Sequence, residues 1–202
     1  LSVFAVHQLP VTQVVACPRG THLVASVAQQ GPVWLWCPLT GLGRGLLLLQ
    51  PQPRADEAGP TYAAPLAPPP KPKGRFVAMS PCSQYVAVGC SDKLVRVWLL
   101  GSQFWTAAPR QMEELLAEAE SEDVYRPRGT GRPRQVAVLE GHRDEVGFVE
   151  FSRGGSGMLL TCSKDGTLRI WKSRPKPAED APAPRKGGGA AAAAGPGQRT
   201  GG

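Results

Sequence analysis

From Val146 to Phe151 and again from Met158 to Cys162, apolar and polar side chains alternate, and an Asp165-Gly166 pair separates the second run from Thr167 to Trp171. Alternation with a period of two marks half-buried strands, and Asp-Gly accepts the positive φ of a tight hairpin at low cost. Three antiparallel strands are predicted from this stretch. The pattern then recurs. It opens at His142 and ends at Trp171, 29 positions on; another copy opens at His7 and ends at Trp36, also 29 positions on. A third, from Arg75 to Trp98, lacks the opening histidine but keeps between Asp92 and Trp98 the step that Asp165 keeps to Trp171. Self-similarity of this kind, at a period of roughly 40 residues, implies stacked supersecondary units rather than one continuous sheet.

A fourth strand per copy is predicted at Gln135 to Leu139, before the last copy, and at Leu46 to Leu49, before the middle one. Units of four strands with a Gly-His opening and a Trp ending resemble the WD40 repeat, in which each unit builds most of one propeller blade. That resemblance implies an all-β fold: an incomplete β-propeller of about three blades with disordered insertions and tail. The expected division is a blade over 1–49, a Pro-rich insertion over 50–74, a blade over 75–103, an acidic and basic insertion with a short helix over 104–134, a blade over 135–173 and a disordered tail over 174–202. Three blades do not close a ring, so unpaired sheet edges, open apolar sides and poor stability in isolation are expected.

Within the resemblance, Gly141-His142, Ser163, Asp165 and Trp171 match the family's buried hydrogen-bond tetrad. Asp165 is expected to accept from the imidazole of His142, His142 to meet the hydroxyl of Ser163, and the Trp171 indole N–H to find an acceptor inside the blade. The other copies depart from the pattern. The first has His7 and Trp36 but Gln30 for the aspartate; the middle one has Asp92 and Trp98 but Cys90 for the serine and Pro70 near the histidine position.

The stretches VWLWCPLTG, YVAVGCSDKLVRVWLLGSQ and HRDEVGFVEFSRGGSGMLLTCSKDGTLRIWK, taken together, resemble consecutive repeats of the bromodomain-and-WD-repeat family, as does the Pro-rich, basic passage from Pro70 to Arg75. The resemblance implies a nuclear location, with the cytoplasm as alternative, and a role in chromatin and transcription regulation, cell shape and cytoskeletal organisation. Partners would be other proteins, chromatin-associated ones among them. Some members of the family are substrate receptors of cullin-RING ubiquitin ligases, docking an adaptor through a Trp-Asp-x-Arg signature. Here Trp171 and Arg174 would be the docking residues, but Lys172 stands in place of the acid and inverts the local charge.

Composition narrows the picture where the repeats stop. The 21 Pro and 24 Gly gather in runs between and after the copies. Gln50 to Lys73 has too few large apolar groups to repay the entropy of ordering and reads as an extended inter-strand insertion, although its PxxP-like spacing suits small Pro-binding domains. Gln111 to Glu120 is the one convincing helix, with Met112, Leu115, Leu116 and Ala119 on one face. The net charge of +7 lies largely in Arg126 to Arg134 and Lys172 to Arg199. Without interleaved aromatics to stack on bases, those cations give at most weak, non-specific nucleic-acid binding. The chain opens on Leu1 with no signal-like segment and has no apolar run long enough for a bilayer, so it reads as a soluble internal piece with no membrane partner. Five cysteines without metal-binding spacing, Cys17, Cys37, Cys82, Cys90 and Cys162, read as reduced, buried thiols.

Catalysis is not expected. His142, Ser163 and Asp165 invite a hydrolase reading, but the serine sits on a strand without a Gly-x-Ser-x-Gly elbow. Gly41 to Gly45 lacks the strand-turn-helix frame of a phosphate loop, and three scattered histidines offer no metal site, so no cofactor or metal is expected. What remains is a binding platform whose loops present Arg143, Asp144, Glu145 and Lys164 from the last copy and Ser91, Asp92 and Lys93 from the middle one.

Overall fold

A computed structural model describes residues 5–20, 22–50, 71–120, 131–154 and 157–173. Among the described residues, eleven strands form three antiparallel sheets, accompanied by two helices. The first sheet takes β1 (Val11–Ala16), β2 (Val24–Ala28), β3 (Val33–Trp36) and β4 (Gly43–Leu47) in sequence order. The second takes β5 (Gly74–Met79), β6 (Tyr85–Cys90), β7 (Val95–Leu99) and, after two helices, β8 (Arg134–Leu139). The third takes β9 (Val146–Phe151), β10 (Met158–Ser163) and β11 (Leu168–Lys172), three strands among the described residues.

Each hairpin forms where turn chemistry predicts it. Gly166 has φ +79° after Asp165, and the corresponding turn positions of the other copies, Gly31 (+96°) and Lys93 (+72°), are also left-handed. Lys93 carries a Cβ in a region that L-residues avoid, and the turn is closed around it by the Leu94 N–H donating to the Asp92 carboxylate at 3.4 Å and the Cys90 N–H donating to the Leu94 carbonyl at 3.0 Å.

The sheets stack face to face in the order first, second, third, their inner strands β1, β5 and β9 adjacent. One apolar cluster joins the first two: Ala25, Val27, Val33, Leu35 and Leu47 against Val77, Val86, Val88 and Trp98. Another joins the second and third: Ala78, Ala87 and Val95 against Val146, Val149 and Leu159. Each valine buried completely in such a layer contributes on the order of 1.5–3 kcal/mol. Polar ties cross the same seams. The Gln13 carboxamide accepts the Val77 N–H at 2.7 Å, the Cys17 thiol meets the Ser83 hydroxyl at 3.0 Å, and Arg75 reaches Glu145 at 3.3 Å.

Four features differ from the sequence expectation. The strand before the last copy pairs with β7 (Val95↔Leu139, Arg96↔Val138) and so completes the second sheet, not the third with which 135–173 was grouped. The reason is its exit: residues 140–145 make no hairpin but cross to the next sheet, so the strand stays with the neighbour it already pairs. Its counterpart before the middle copy, β4, likewise closes the first sheet, and it begins at Gly43, earlier than Leu46. Between β7 and β8 a five-residue helix, α1 (Ser102–Thr106), buries Phe104 to 1 % exposure beneath the first sheet, where its ring meets the bare backbone of Gly45. No periodic pattern is long enough to announce it. The predicted helix is α2 (Met112–Glu120), and its Leu115 and Leu116 pack on Trp34, Trp36 and Leu46 of the first sheet. Residues 51–70 of the Pro-rich insertion and the whole of 174–202 lie outside the described residues. All five cysteines are free thiols; Cys17, Cys37 and Cys90 are buried, but Cys82 and Cys162 are only partly so, because they end in a turn and on an uncovered sheet face.

Gly89 sets the distance between the second and third sheets. A Cβ there would stand 2.7 Å from Val146 Cγ1 and from Val149 Cγ2. Gly89→Ala is expected to cost about 1–3 kcal/mol in chemical denaturation, and pairing it with Val149→Ala should recover part of that loss. Strict additivity of the two changes would show that the glycine is not the seat of the valines.

Candidate functional site

The connection from β8 to β9 and the β10–β11 turn come together at one end of the third sheet, and a polar network locks them. His142, 6 % exposed, turns its Nε2 to the Thr161 hydroxyl at 2.8 Å, and that same oxygen accepts the Trp171 indole N–H at 2.9 Å. On its other side, Nδ1 of His142 lies 3.3 Å from Asp165 Oδ2 and 3.2 Å from Thr167 Oγ1. A proton on Nδ1, with Thr161 donating to Nε2, satisfies every member at once. Gly141 is obligatory beside it: its φ is +149° and a Cβ would strike the Arg169 guanidinium at 2.6 Å.

Asp165 does most of the fastening. Oδ1 accepts the Thr167 hydroxyl at 2.6 Å and its backbone N–H at 2.8 Å, while Oδ2 accepts the Arg143 N–H at 2.6 Å. These bonds, with Thr167's hydroxyl the largest contributor and the Arg143 amide next, hold the carboxyl far below the usual carboxylate range.

Ser163 is not the hydroxyl of this tetrad. Its Oγ donates to the Asp144 carbonyl at 2.9 Å and accepts the Asp165 N–H at 3.2 Å, so it ties the two loops together outside the histidine. The register shift between Cys162 and Ser163 turns it toward the loop, whereas Thr161, fully buried, faces His142. The repeat itself carries the signal for this. Thr161 stands 19 positions after His142 and ten before Trp171, and Ser26 stands 19 after His7 and ten before Trp36; the position matching Ser163 is Ala28.

In the first copy that signal is realised. His7 Nε2 lies 2.8 Å from Ser26 Oγ, which also takes the Trp36 indole N–H at 3.2 Å, and burial lowers the His7 pKa. Gln30, in the aspartate's place, is exposed. The middle copy has Val88 at the hydroxyl position and a different lock. Arg96, with no exposed surface, forks onto Asp92 at 3.0 and 2.6 Å and reaches the Gln50 carbonyl at 2.9 Å. Cys90 beside it is buried, which pushes its thiol pKa up to about 12.

The candidate partner-facing residues lie along one end of the second and third sheets. Ser91 exchanges two bonds with Lys73, its N–H donating to the Lys73 carbonyl at 2.9 Å and its hydroxyl accepting the Lys73 N–H at 2.9 Å. Glu145 is held by Lys164 at 2.8 Å and Arg75 at 3.3 Å, Lys164 first in lowering its pKa. Asp144 accepts the Glu145 N–H at 2.7 Å. Asp92 belongs to the Arg96 fork, so two of the acidic residues, Asp92 and Glu145, are consumed in ion pairs, while the Asp144 and Arg143 side chains stand exposed. Arg174 lies outside the described residues, and the Trp171 indole points inward to Thr161. Among the described residues no three His, Cys, Asp or Glu side chains gather in a way that could hold a metal, and no helix is long and apolar enough to cross a membrane.

Comparison with known proteins gives the fold its name. The model of the WD domain, G-beta repeat, matches residues 75–98 and 133–172. Those two stretches match WD40 repeats. Among curated proteins the chain is 27 % identical over 99 residues to probable cytosolic iron-sulfur protein assembly protein 1 of Kluyveromyces lactis, covering 49 % of this chain and 23 % of that protein. It is 30 % identical over 101 residues to the human TAF5-like RNA polymerase II p300/CBP-associated factor-associated factor 65 kDa subunit 5L, covering 46 % and 16 %. The chain therefore spans less than a quarter of the length of either. Among solved structures, the WD40 repeats of RRP9 superpose with a TM-score of 0.52 at 20 % identity, over 85 % of this chain and 38 % of that one. A chain of the mitotic checkpoint complex superposes at 0.53 and 15 %, over 83 % and 38 %. Among the described residues the fold is part of a β-propeller, its three sheets the blades.

Thr161→Val keeps the shape of the WD40 tetrad and removes its hub, so it should cost about 1–3 kcal/mol, against about 1 kcal/mol or less for Ser163→Ala. Equal losses in denaturant titrations would put the hub elsewhere. Because the folded pKa of Asp165 is depressed, its stabilisation is present above the unfolded value near 4 and fades as pH falls below it. The melting temperatures of the parent chain and Asp165→Asn should accordingly differ at pH 7 and converge toward pH 2; a constant gap would contradict this.

Proposed function

We propose that this chain is a non-catalytic platform whose charged blade-end loops select a protein partner. One observation carries the reading: every group of the tetrad that could do chemistry is already used to fix a loop. His142 is enclosed between Thr161 and Asp165, and the Ser163 hydroxyl donates to the Asp144 carbonyl. Fixing loops is what a scaffold needs, because a preorganised surface loses less entropy on binding. With Glu145, Asp92 and Asp165 engaged internally, the side chains left to meet a partner are Arg143, exposed, and Lys93, half-exposed, against the exposed Asp144, and this excess of cations suits an acidic protein segment.

The resemblance to bromodomain-and-WD-repeat proteins supports a nuclear, chromatin-associated setting with links to transcription and cell shape, and the human relative's name, an RNA polymerase II-associated factor subunit, points the same way. The Kluyveromyces lactis relative is named cytosolic, which keeps the cytoplasm as the alternative. Adaptor docking through Trp171 and Arg174 has less behind it, since the Trp171 N–H is committed inside the blade and Lys172 replaces the acid.

The test is capture of partners by the parent chain and by a Lys93→Glu/Arg143→Glu variant of unchanged melting temperature. The variant should lose the salt-sensitive partners and keep the rest. An identical captured set from both proteins would reject the loop surface, and hydrolysis of a simple ester that disappears with His142→Ala would reject the non-catalytic reading.

A further inference from the structure

The second and third blades hold the same pair of residues at matching places, yet use it differently. A step of 73 residues carries Asp92, Arg96 and Trp98 onto Asp165, Arg169 and Trp171. In the second blade the pair closes on itself: Arg96 forks its two Nη groups onto the Asp92 carboxylate at 3.0 and 2.6 Å and gives a further bond to the Gln50 carbonyl. In the third blade the carboxylate is already taken. Asp165 Oδ1 accepts the hydroxyl and the N–H of Thr167, while Oδ2 accepts the Arg143 N–H and stands 3.3 Å from His142 Nδ1. The roughly four acceptor positions that a carboxylate offers are thereby filled.

The sequence difference behind this is small. Thr167 and His142 make the claim on Asp165, whereas the middle copy has Leu94 in place of the threonine and no opening histidine, and Leu94 offers Asp92 only its N–H, at 3.4 Å. One carboxylate can serve the loop or the arginine, and in the third blade it serves the loop.

Arg169 is left without an acid. It pairs across the sheet with Thr161 and so stands on the face turned to the second blade. Its guanidinium lies against the exposed Gly141, where a Cβ would meet Nη1 at 2.6 Å and Cζ at 3.1 Å. Nε is buried without a partner, and the two Nη groups reach solvent with no bond to any described residue. With Nε shut in the seam and the Nη edge open, the fork is placed before anything binds it, and such a planar pair of donors matches a carboxylate bidentately.

The charges around the opening help to choose among anions. Arg143, two residues beyond Gly141, is exposed and adds a second cation, but Glu140 and Asp144 of the same crossing are exposed too. Two cations against two acids leave no surplus to hold a doubly charged phosphate, so recognition there rests on the geometry of the fork, which a carboxylate fits.

We propose that Arg169 is the anchor for an acidic protein segment: its free Nη edge takes an Asp or Glu carboxylate of the partner in the fork that Arg96 makes with Asp92, under Gly141 and beside Arg143. The inference rests on the reading of this chain as a platform for an acidic partner and adds to it a directional contact that the loop cations Arg143 and Lys93 do not supply. In the first blade Trp34 stands at this position, so of the three described blades only the third offers it.

The test titrates the full chain with a capped peptide of repeated Gly-Glu-Ser, in parallel with Gly-Gln-Ser and Gly-phosphoserine-Ser peptides, and follows the backbone and arginine side chains by nitrogen-edited NMR. The glutamate peptide should shift the Arg169 guanidinium and residues 140–144, and the glutamine peptide should not. Arg169→Lys keeps the charge and loses the fork, so at an unchanged melting temperature it should weaken binding about tenfold or more. Lys93→Glu should weaken it less and leave the Arg169 shift in place. Where Arg169→Lys does not fold, the Arg169 signals of the parent decide alone. Binding that leaves those signals unmoved, that the glutamine peptide reproduces, or that Arg169→Lys does not weaken would overturn the anchor while the acidic-partner reading stands. A parent that ignores the glutamate peptide would overturn both, and a phosphoserine peptide that binds more tightly through Arg169 would overturn the choice of a carboxylate.

Discussion

Val146 and Val149 rest their methyl groups on the bare backbone of Gly89, and the rest of the chain is organised so that such contacts can form. A sheet of four short strands buries too little by itself, so each blade needs a neighbour at a fixed distance. Small residues on one face and branched ones on the next set that distance. The hydrogen bonds of Gln13 to Val77 and of Arg75 to Glu145 then fix the lateral position, which apolar packing alone leaves free to slide.

The tetrad acts on a different problem, the crossing from one blade to the next. The strand β8 finishes the second blade, and after six intervening residues β9 begins the third, with no hairpin to guide the chain between them. His142 stands in the middle of that crossing and is bonded to the blade being entered, through Thr161 and Asp165. The outer strand of one blade and the inner strand of the next are thereby joined by side chains as well as by backbone. The middle copy reaches the same end with an Arg96–Asp92 fork that grips the Gln50 carbonyl, the last described residue before its own long insertion. A buried ion pair of this sort stabilises little in net terms, but it is costly to break from one side.

How much of this was legible in the sequence follows from which features are local. Strands and turns show in alternation and in Asp165-Gly166, and the blade period shows in the step from histidine to tryptophan, because each depends on residues within one repeat. Thr161 was legible too, by the shared interval in the first and last copies, but Ser163 is nearer the loop and draws attention as a triad-like hydroxyl. The sheet membership of β8 was not legible, since the same alternating residues could pair on either side and only the docking of whole blades decides. Nor were α1, whose five residues complete little more than one turn, and the Arg96 fork, where a cation at a core position gives no sign of the carboxylate that will neutralise it.

The placement of α2 joins these levels. Its apolar residues were evident from their spacing, yet a helix of nine residues is marginal alone and gains stability only where Leu115 finds a surface. It finds one not on the blade that precedes it in sequence but on Trp34 and Leu46 of the first, so a segment inserted in the second blade covers the outer half of a face that no other described element covers. What it leaves bare is the inner strand with Val11 and Val14, the part nearest the propeller axis, where the blades lie closest and a neighbour removes the most apolar surface from water. Among the described residues, the insertion thus narrows the exposed apolar surface of the first sheet to its inner strand.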